Sequence, residues 1–541
     1  MKREAMMARV RDWESRNQTW DVLVIGGGAT GAGVAVDAAS RGFSVLLLER
    51  EDFAKGTSSR STKLVHGGVR YLEQGNVSLV MEALKERGLL RQNAPHLVHD
   101  VPFIVPNYSW WEMPFYGIGL KVYDLLAGRY GFGASKVLSR EETLERLPTL
   151  REDGLRGGVV YYDGQFDDAR LLVNLMQTAV DHGATVLNYA PVVELVKGED
   201  GFLQGAVALD RETGERFTLR AHVVVNATGI FTDEVRRMAD GEAKAMIAPS
   251  QGIHLVLDKT FLRGETAVMV PRTSDGRVLF AIPWHGHTVV GTTDTPIEHA
   301  SYEPMPFEHE IEFVLETARE YLSRPPKRED VLSVYVGIRP LVKAGGETAK
   351  TSALSRDHTI HIDGSGLLTI VGGKWTTYRH MAEDAVNHAV LLGKLEDRAC
   401  VTQGLRIHGY RADTAPDAIL AVYGADAEKI EQMIAEREEL GAKLHPDLPY
   451  CAAEVVWAVR EEMARSVEDV LARRTRALFL NARAAVAMAP EVARLMAVEL
   501  GRDTAWMEEQ IAEFTALAAQ YMLQPRADTG ESGAGMGKAG S

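Results

Sequence analysis

The stretch "DVLVIGGGATGAGVAVDAASRGFSVLLLER", residues 21–50, decides the fold of this chain. It begins with a short, continuous apolar run, which is typical of a strand that is buried on both faces of a parallel sheet. Glycines follow at once, and small apolar residues then recur at the spacing of a helix that ends by Gly42. A second apolar run closes the stretch. The pattern therefore predicts a βαβ unit.

The turn of this unit carries the spacing GxGxxG, formed by Gly26, Gly28 and Gly31. In such a turn the glycines allow a tight bend, a close approach of the backbone to a pyrophosphate, and close packing of helix on strand. Glu49 ends the second strand, where a carboxylate can accept hydrogen bonds from ribose hydroxyls. The stretch therefore predicts a dinucleotide site, and the fingerprint alone serves NAD and FAD equally.

Composition narrows the class of protein. The 541 residues include 75 acidic and 60 basic side chains, a net charge of −15, which argues against a general nucleic-acid binder. Two cysteines lie far apart, so we predict neither disulfides nor a metal site, and a reducing cytoplasmic compartment. Residues 1–20 lack the apolar core of a signal peptide, and no run approaches the roughly 20 apolar residues that span a bilayer.

Further along, the pattern changes twice. "HVVVNATG", residues 222–229, predicts another buried strand that runs into a turn of small residues. The runs 278–282 and 288–291 flank a short turn, which predicts an antiparallel hairpin. Beyond about residue 397 the sequence becomes amphipathic and helical, and residues 526–541 are rich in glycine and predicted to be disordered.

A second Gly-Gly turn helps to decide whether the dinucleotide is NAD or FAD. "GLLTIVGGKWTTYRHMAEDAV", residues 366–386, repeats the order of strand, glycine turn and helix late in the chain. This return favours a tightly held flavin whose two ends contact distant segments. A helix that starts near Thr376 would direct its positive end at the electron-rich edge of the flavin ring, and Lys374 would add a full positive charge there.

Four motifs, in this order, carry a family resemblance: "VIGGGATGAGVAVDAASRG", "TSSRSTKLVHGGVRYLE", "GIRPL" and "GGKWTTYRHMAEDA". The chain resembles the FAD-dependent glycerol-3-phosphate dehydrogenases, in their quinone-reducing branch, from residue 21 into the helical C-terminal region. The resemblance implies an α/β fold in which a Rossmann-type FAD-binding domain is interleaved with an antiparallel-sheet substrate domain, as in the amino-acid oxidases, and an all-α C-terminal domain follows. The expected divisions are 20–95, 155–232 and 340–396 for the FAD-binding domain, 96–154 and 233–339 for the substrate domain, 397–525 for the helical domain and 526–541 for the tail.

The resemblance also implies which residues contact the cofactor. Hydroxyls and close backbone amides suit a pyrophosphate and the edges of a flavin ring. Besides the three glycines of the first turn and Glu49, the expected FAD contacts are Ser58, Ser59, Ser61, Thr62, Lys63, Leu64, His66, Gly67, Gly68, Ala227, Gly229, Gly373, Lys374 and Thr376.

The positions that the resemblance implies for substrate are Arg70, Tyr71, His254, Arg339, Arg356 and Lys374. A phosphomonoester carries nearly two negative charges, so Arg339 and Arg356 form the expected phosphate clamp. His254 is the expected catalytic base because histidine titrates nearest to working pH, while Arg70 and Lys374 could instead stabilise a developing alkoxide. Asp294, in "GTTD", resembles a family element without a role that we can assign.

The resemblance implies oxidation of sn-glycerol 3-phosphate to dihydroxyacetone phosphate, with hydride transfer to FAD and electrons passed to membrane quinone. The sequence shows no large insertion like that of the glycerophosphate oxidases, which favours quinone over oxygen. Three alternatives stay open: an oxidase that releases hydrogen peroxide, an enzyme that oxidises amines or amino acids, and a non-catalytic flavin-binding interaction protein.

One aromatic segment bears on membrane contact. Residues 102–128 are broken by prolines, glycines and charges, and we interpret their aromatic density as buried packing rather than a membrane interface. Within it, however, "YSWWEMPFYGIG", residues 108–119, is too aromatic for a solvated loop and is our candidate for membrane or quinone contact. We expect a cytoplasmic protein that associates peripherally with the inner face of the cell membrane, and a homodimer stays open.

Overall fold

The structure is a computed structural model that describes residues 1–69, 72, 75–271, 273, 277–343, 357–413 and 420–524. Its strands are β1 (Thr19–Ile25), β2 (Val45–Leu48), β3 (Leu64–Val65), β4 (Val98–Asn107), β5 (Lys136–Leu138), β6 (Gly157–Phe166), β7 (Thr185–Leu187), β8 (Val192–Lys197), β9 (Leu203–Leu209), β10 (Arg216–Asn226), β11 (Ile247–Asp258), β12 (Ala267–Val270), β13 (Leu279–Trp284), β14 (His287–Gly291), β15 (Thr295–Pro296), β16 (Val331–Val342), β17 (His358–Ile362) and β18 (Leu368–Gly372).

The helices are α1 (Arg3–Ser15), α2 (Ala29–Ser40), α3 (Val77–Asn93), α4 (Glu112–Ala127), α5 (Arg140–Arg146), α6 (Asp168–Asp181), α7 (Thr232–Ala239), α8 (Glu308–Tyr321), α9 (Tyr378–Leu392), α10 (Ala427–Glu436), α11 (Ala452–Glu461), α12 (Ala477–Leu480), α13 (Ala482–Leu500) and α14 (Thr504–Ala518). A π-helix, Asp469–Arg474, lies between α11 and α12.

Sheet 1 has the strand order β17-β18-β10-β1-β2-β7, with β9 and β8 added at β10. The strands β18, β10, β1, β2 and β7 run parallel. Both faces of β1 are buried: Val22 and Val24 pack toward α2, α6 and α9, while Leu23 and Ile25 pack toward the β8–β9–β10 side and α1. This double burial explains the continuous apolar run of the sequence and confirms the predicted parallel sheet.

Sheet 2 has the strand order β15-β11-β14-β13-β12-β4-β6-β3, with β16 paired to β11 and β5 paired to β6. The predicted hairpin is confirmed, because β13 and β14 pair antiparallel through a tight turn. One face of the sheet packs on α8. The other face shares a continuous apolar core with the helices α10–α14 of the C-terminal domain.

The predicted division of the chain needs one correction. The boundary at residue 155 assigns β6 to the FAD-binding domain, but β6 pairs with β4 along its whole length, from Val98↔Phe166 to Asn107↔Gly157, in sheet 2. The short strand β3 also pairs with β6 rather than with sheet 1. A strand's own residues record its burial but not its partner, so the sequence could not locate this crossing between the sheets. The other ranges stay predictions.

Candidate functional site

The first glycine turn joins β1 to α2 and leaves no room for side chains. Gly26 has φ of +111°, and a Cβ there would lie 2.7 Å from the carbonyl oxygen of Ala227. A Cβ on Gly31 would overlap the carbonyl oxygen of Gly26. Gly28 is the N-cap of α2, so the positive end of this helix opens onto the turn without a side chain of its own. The turn is therefore a cradle for an anionic group, as the sequence predicts.

Glu49 closes one side of this cradle. Its Oε2 accepts a hydrogen bond of 2.6 Å from the amide of Gly27, and its Oε1 accepts one of 2.8 Å from the amide of Glu51. Burial raises the pKa of the Glu49 carboxyl. Next to it, the guanidinium of Arg50 lies 4.7 Å from the ring of Phe231 and 4.8 Å from that of Tyr302. Sequence reasoning missed this aromatic–arginine cluster because its members come from three separate segments.

We call the space in front of the turn the glycine cavity. It is bounded by the turn itself, by the end of β2, by the residues that follow β10, and by those that follow β18. Among the predicted cofactor residues it is lined by Gly26, Gly28, Glu49, Ser58, Ala227, Gly229, Gly373 and Lys374. The structure thus brings together residues from four separate regions of the chain at the carboxyl ends of parallel strands, where nucleotides bind in such sheets.

The second Gly-Gly turn forms the far side of the glycine cavity. Gly373 has φ of +70°, and a Cβ on it would contact the sulfur of Met381. Lys374 then precedes a 3₁₀ turn, Trp375–Thr377, and α9 begins only after that turn, two residues later than the predicted start near Thr376. The Oγ1 of Thr376 accepts a hydrogen bond of 3.2 Å from the amide of His66. Thr376 therefore ties two predicted segments to each other.

The segment from Thr57 to Gly68, which we call the hydroxyl loop, runs from the glycine cavity to a second cavity. At its start, Ser58 Oγ accepts a hydrogen bond of 2.9 Å from the amide of Ala29, the first residue of α2. The carbonyl of Ser58 accepts one of 2.9 Å from the indole of Trp375. The loop is thus tied to both glycine turns.

Other predicted contacts in the hydroxyl loop face away from both cavities. Ser61 Oγ donates to Asp168 at 2.7 Å, and Lys63 Nζ donates to the same carboxylate at 2.7 Å and to the carbonyl of Ser59 at 2.8 Å. Lys63 is fully buried, and burial, opposed by Asp168, lowers its pKa to about 7. Of the loop residues predicted to contact the cofactor, Ser59, Ser61, Lys63 and Gly67 line neither cavity. The side chains of Ser61 and Lys63 bind Asp168 instead of lining a cavity, and the cofactor contacts that the family resemblance implies for these four residues stay predictions.

We call the second cavity the aromatic cavity; its volume is about 560 Å³. Its polar lining residues are Thr62, His66, Asp163, Arg277, Thr292, Thr293, Asp294 and Arg339, and we call the part around Arg339, which binds Thr292, Thr293 and Asp294, the polar end. The other end is apolar and is built from side chains that include Phe103, Phe115, Tyr116, Ile118, Val122, Tyr161 and Phe280. Leu64 and Gly68 also line it. The cavity can therefore hold an anionic group at one end and an apolar group at the other.

Arg339, on β16, is held in place at the polar end. Its Nη1 lies 3.2 Å from Oδ1 of Asp294, and its Nη2 donates to the carbonyl of Thr293 at 3.0 Å. Ser250 also donates to the Asp294 carboxylate. Asp294, which had no assigned role at the level of sequence, therefore orients the guanidinium. The motif "GTTD" was the signal, but the sequence could not show that β11 lies between β14, which the motif follows, and β16, which carries Arg339.

His254, the predicted base, lies behind the wall of the aromatic cavity on β11. Its Nε2 is 2.9 Å from Oγ1 of Thr62, and its ring stacks on Tyr335 with centroids 4.7 Å apart. Burial lowers the pKa of His254 well below its ordinary value, and the charges of Lys63 and Arg339 add to this. The imidazole is therefore neutral, and the Thr62 hydroxyl lies between it and the cavity.

Three predicted substrate contacts, Arg70, Tyr71 and Arg356, lie outside the described residues, as does the predicted tail from residue 526. Arg339 is the member of the predicted phosphate clamp that the structure describes. The second arginine stays a prediction.

The aromatic segment divides into a buried half and an exposed half. The residues of β4 are mostly buried in sheet 2, as expected, whereas buried packing holds on α4 for only one face, which carries Leu120, Tyr123 and Ala127. On and just before that helix, an apolar stripe with i, i+3 and i+4 spacing faces solvent: Trp110 is 77% exposed and Leu125 is 80% exposed, and the others are Trp111, Phe115, Ile118 and Val122. Within the described ranges, no helix combines the length and apolar character needed to cross a bilayer.

Comparison with known proteins adds two family matches. Residues 21–379 match the model of the FAD dependent oxidoreductase family, and residues 366–507 match the C-terminal domain of alpha-glycerophosphate oxidase. A probable mitochondrial glycerol-3-phosphate dehydrogenase of Caenorhabditis elegans is 41% identical over 549 residues, covering 96% of this chain and 76% of that protein. The mitochondrial glycerol-3-phosphate dehydrogenases of Homo sapiens and Arabidopsis thaliana are 42% and 44% identical, covering 91% of this chain in each case and 72% and 84% of those proteins.

Comparison with solved structures points to the same family as the sequence relatives. The glycerol-3-phosphate dehydrogenase of Bacillus halodurans, complexed with FAD, superposes with a TM-score of 0.76 at 30% identity, covering 96% of this chain and 99% of that one. Glycine oxidase of Geobacillus kaustophilus superposes with a TM-score of 0.52 at 20% identity, covering 72% of this chain and 98% of that one, which is a likeness of fold alone. The predicted family resemblance and fold class are confirmed.

Proposed function

The chain belongs to the family of FAD-dependent glycerol-3-phosphate dehydrogenases, and from that membership we propose that it oxidises sn-glycerol 3-phosphate to dihydroxyacetone phosphate and passes the electrons from FAD to a membrane quinone. The single observation that carries this proposal is the pair of cavities joined by the hydroxyl loop. One is built for a dinucleotide, and the other combines an arginine end with an apolar end that reaches an exposed helix.

The residues of the glycine cavity fit FAD. The overlaps that a Cβ would create at Gly26 and Gly31 leave room for a pyrophosphate beside the N-terminus of α2, and Glu49 lies where ribose hydroxyls would come. When bound, FAD supplies the acceptor for the hydride from the carbinol carbon. Lys374, on the far wall, would favour the negative charge that the cofactor gains. The roles of these single residues are proposals.

At the polar end of the aromatic cavity, Arg339 would bind the phosphate. A guanidinium presents two parallel donors to a phosphate, and Asp294 fixes its plane. Arg356 would complete the clamp, and Arg70 and Tyr71 would contact the glycerol moiety. These three assignments rest on the sequence motifs.

The hydroxyl proton of the substrate would leave through Thr62 to His254. The distance of 2.9 Å between Thr62 Oγ1 and His254 Nε2 supports a two-step transfer, and a neutral imidazole can accept the proton. In the protein without substrate, the low pKa of His254 makes it a weak base. A bound phosphomonoester would bring two negative charges to nearby Arg339, which shifts the pKa of His254 upward.

The exposed stripe on α4 supports the quinone assignment. Phe115, Ile118 and Val122 face solvent and also line the apolar end of the aromatic cavity, so one helix joins the cavity to the surface. An exposed apolar stripe marks a site of contact with a membrane or with another protein, and the apolar face of a surface helix can lie in the interfacial layer of a membrane. We therefore propose that this face attaches peripherally to the inner surface of a membrane. A homodimer stays a prediction.

Reduction of the bound flavin tests the proposal. Addition of sn-glycerol 3-phosphate without oxygen should bleach the visible absorption of FAD, and a short-chain quinone should restore it. Flavin that stays oxidised would refute the substrate. The oxidase is the second candidate, because the C-terminal match is named for alpha-glycerophosphate oxidase; hydrogen peroxide in a one-to-one ratio with product, with no quinone present, would establish it instead.

A further inference from the structure

The middle of the hydroxyl loop is anchored from behind by a buried charged cluster. Thr57 and Ser58 line the glycine cavity, and Thr62 lines the aromatic cavity, whereas Ser59 and Ser61 between them line neither. The loop therefore forms a strip shared by both cavities, and its central residues determine where both ends lie.

Asp168, the first residue of α6, collects five donors at this anchor. Its Oδ2 accepts hydrogen bonds from the amide and hydroxyl of Ser61 and from Lys63 Nζ. Its Oδ1 accepts from the amide of Ala169 and from Nη2 of Arg476, the latter at 3.1 Å. Asp168, Lys63 and Arg476 are almost completely buried, so each charge depends on the others for compensation.

Arg476 brings the C-terminal domain into this cluster. It follows the π-helix and adopts a left-handed backbone with φ of +66°. Its Nη2 also donates to the carbonyl of Ser59 at 2.7 Å, and its Nη1 donates to the carbonyl of Ala472 at 2.8 Å. The guanidinium lies 4.2 Å from the ring of Phe479. One side chain is thereby fixed to its own domain at one nitrogen and to the hydroxyl loop at the other.

The anchored residues are next to the reacting groups. The carbonyl of Ser61 accepts a hydrogen bond of 3.1 Å from Tyr335, and Tyr335 stacks on His254. Thr62 is the next residue and contacts His254 itself. Ser58, next to Ser59 on the other side, contacts the first residue of α2. A shift at Ser59 would therefore be transmitted to both contacts.

We propose that Arg476 is a positioning residue of the reaction: through Ser59 and Asp168 it fixes the hydroxyl loop, and with it the Thr62–His254 contact and the Ser58 edge of the cofactor site. This inference rests on the proposed function. It gives the C-terminal helical domain a part in the chemistry without any direct contact with substrate, and it assigns Lys63 to the anchor rather than to the cofactor.

The test compares three holoenzyme variants. Arg476→Met removes the anchor and Arg476→Lys restores a charge with a single donor group. Arg170→Met is the matched control, since Arg170 is equally buried on α6 and pairs with Glu462 of the C-terminal domain without contacting the loop. The measurements are kcat and KM for glycerol 3-phosphate with a soluble dye acceptor, the visible absorption band of bound oxidised FAD, and the melting temperature.

We expect Arg476→Met to lower kcat about 10- to 100-fold and to shift the flavin band, because small misplacements of reacting groups cost rates of this order. KM should change less than about threefold because Arg339 is held by separate strands. Arg476→Lys should recover about a third to two thirds of the lost kcat on a logarithmic scale, because a single ammonium group replaces the two guanidinium nitrogens that bind Ala472 and Ser59. Arg170→Met should lose as much melting temperature, with unchanged kcat and flavin band.

Equal kcat and flavin bands in Arg476→Met and Arg170→Met would overturn the proposal. If Arg476→Met does not fold, the test uses Arg476→Lys alone. A kcat and a flavin band of Arg476→Lys that equal those of the wild type would then overturn the proposal. The flavin band needs no substrate. A wild-type protein that glycerol 3-phosphate fails to reduce would refute the proposed function, whereas a band that Arg476 variants leave unchanged would refute the positioning role.

Discussion

The glycine cavity and the aromatic cavity are built from different parts of the polypeptide. The first is shaped by backbone at positions where no side chain fits, such as Gly26 and Gly31. The second is shaped by side chains from β4, β6, β12, β16 and α4, with a guanidinium at one end. Backbone shape is encoded locally, by glycine spacing, whereas a cavity made of side chains depends on which strands meet. The two should therefore fail in different ways when residues are replaced.

The largest effect is expected at the backbone cavity. Gly31→Ala places a methyl group against the carbonyl of Gly26, so the first turn must move, and we expect FAD affinity to fall about 100-fold. Gly56→Ala is the matched control, because Gly56 lines the same cavity and a Cβ there meets no atom within 4 Å. FAD content after gel filtration gives the result. Equal flavin loss in both variants would show that the turn is not the constraint.

At the aromatic cavity, Arg339→Met should raise KM for glycerol 3-phosphate about 30-fold and leave FAD content unchanged, because a charged phosphate contact is lost while the cradle stays intact. Asp294→Asn should give a smaller increase, since the guanidinium remains but loses its charged partner. Arg356→Ala should resemble Arg339→Met. Arg328→Met is the control: Arg328 pairs with Glu308 outside both cavities. Steady-state kinetics and FAD quantification measure these effects. If Arg339→Met lost FAD as well as raising KM, the two cavities would not fail independently.

The exposed end of the aromatic cavity should respond to charge. Leu125→Glu, on the α4 stripe, should reduce binding to phospholipid vesicles about 10-fold while dye-linked activity stays unchanged. Val498→Glu, at a residue 69% exposed on α13, is the matched control and should bind vesicles like the wild type. Vesicle co-sedimentation measures both. Equal vesicle binding by the wild type, Leu125→Glu and Val498→Glu would show that the α4 stripe does not contact the membrane.

The smallest effect is expected at His408, which lines neither cavity and should change only the pH dependence of stability. Although burial opposes it, hydrogen bonds to Asp181 and Asp426 raise the pKa of His408 to about 9. A raised pKa in the folded state means that this stabilisation is complete below about pH 6.5 and is lost as pH rises through 9. Because Asp181 is half exposed, we expect only about 1 kcal/mol. Thermal melts of His408→Asn between these pH values should lose this slope, with flavin content unchanged. A slope equal to that of the wild type would contradict it.

The contrast between the cavities also explains what the sequence could predict. The βαβ unit, both glycine turns and Glu49 are local patterns, and the structure places them together at one cavity. Arg339 was found by its motif, but its partner Asp294 follows β14 and became meaningful only when β11, β14 and β16 were seen side by side. Motif position alone could not show that Ser61 and Lys63 face Asp168, because neighbouring residues of one loop point in opposite directions. The exposed stripe on α4 was recognised by its aromatic content within residues 108–119, but its continuation to Val122 and Leu125 was predicted to be buried.

The hydrogen bond from Arg476 to Ser59 joins residues 417 positions apart in the chain. During synthesis at 5–20 residues per second, roughly 20 to 80 s pass between the two. The glycine turn is therefore complete long before the residue that anchors the neighbouring loop has left the ribosome. A nascent chain can present the nucleotide cradle early, but the strip between the two cavities is fixed only when the C-terminal helices pack against sheet 2. The Ser58 edge of the cofactor site therefore reaches its final position only after residue 476 has been synthesised.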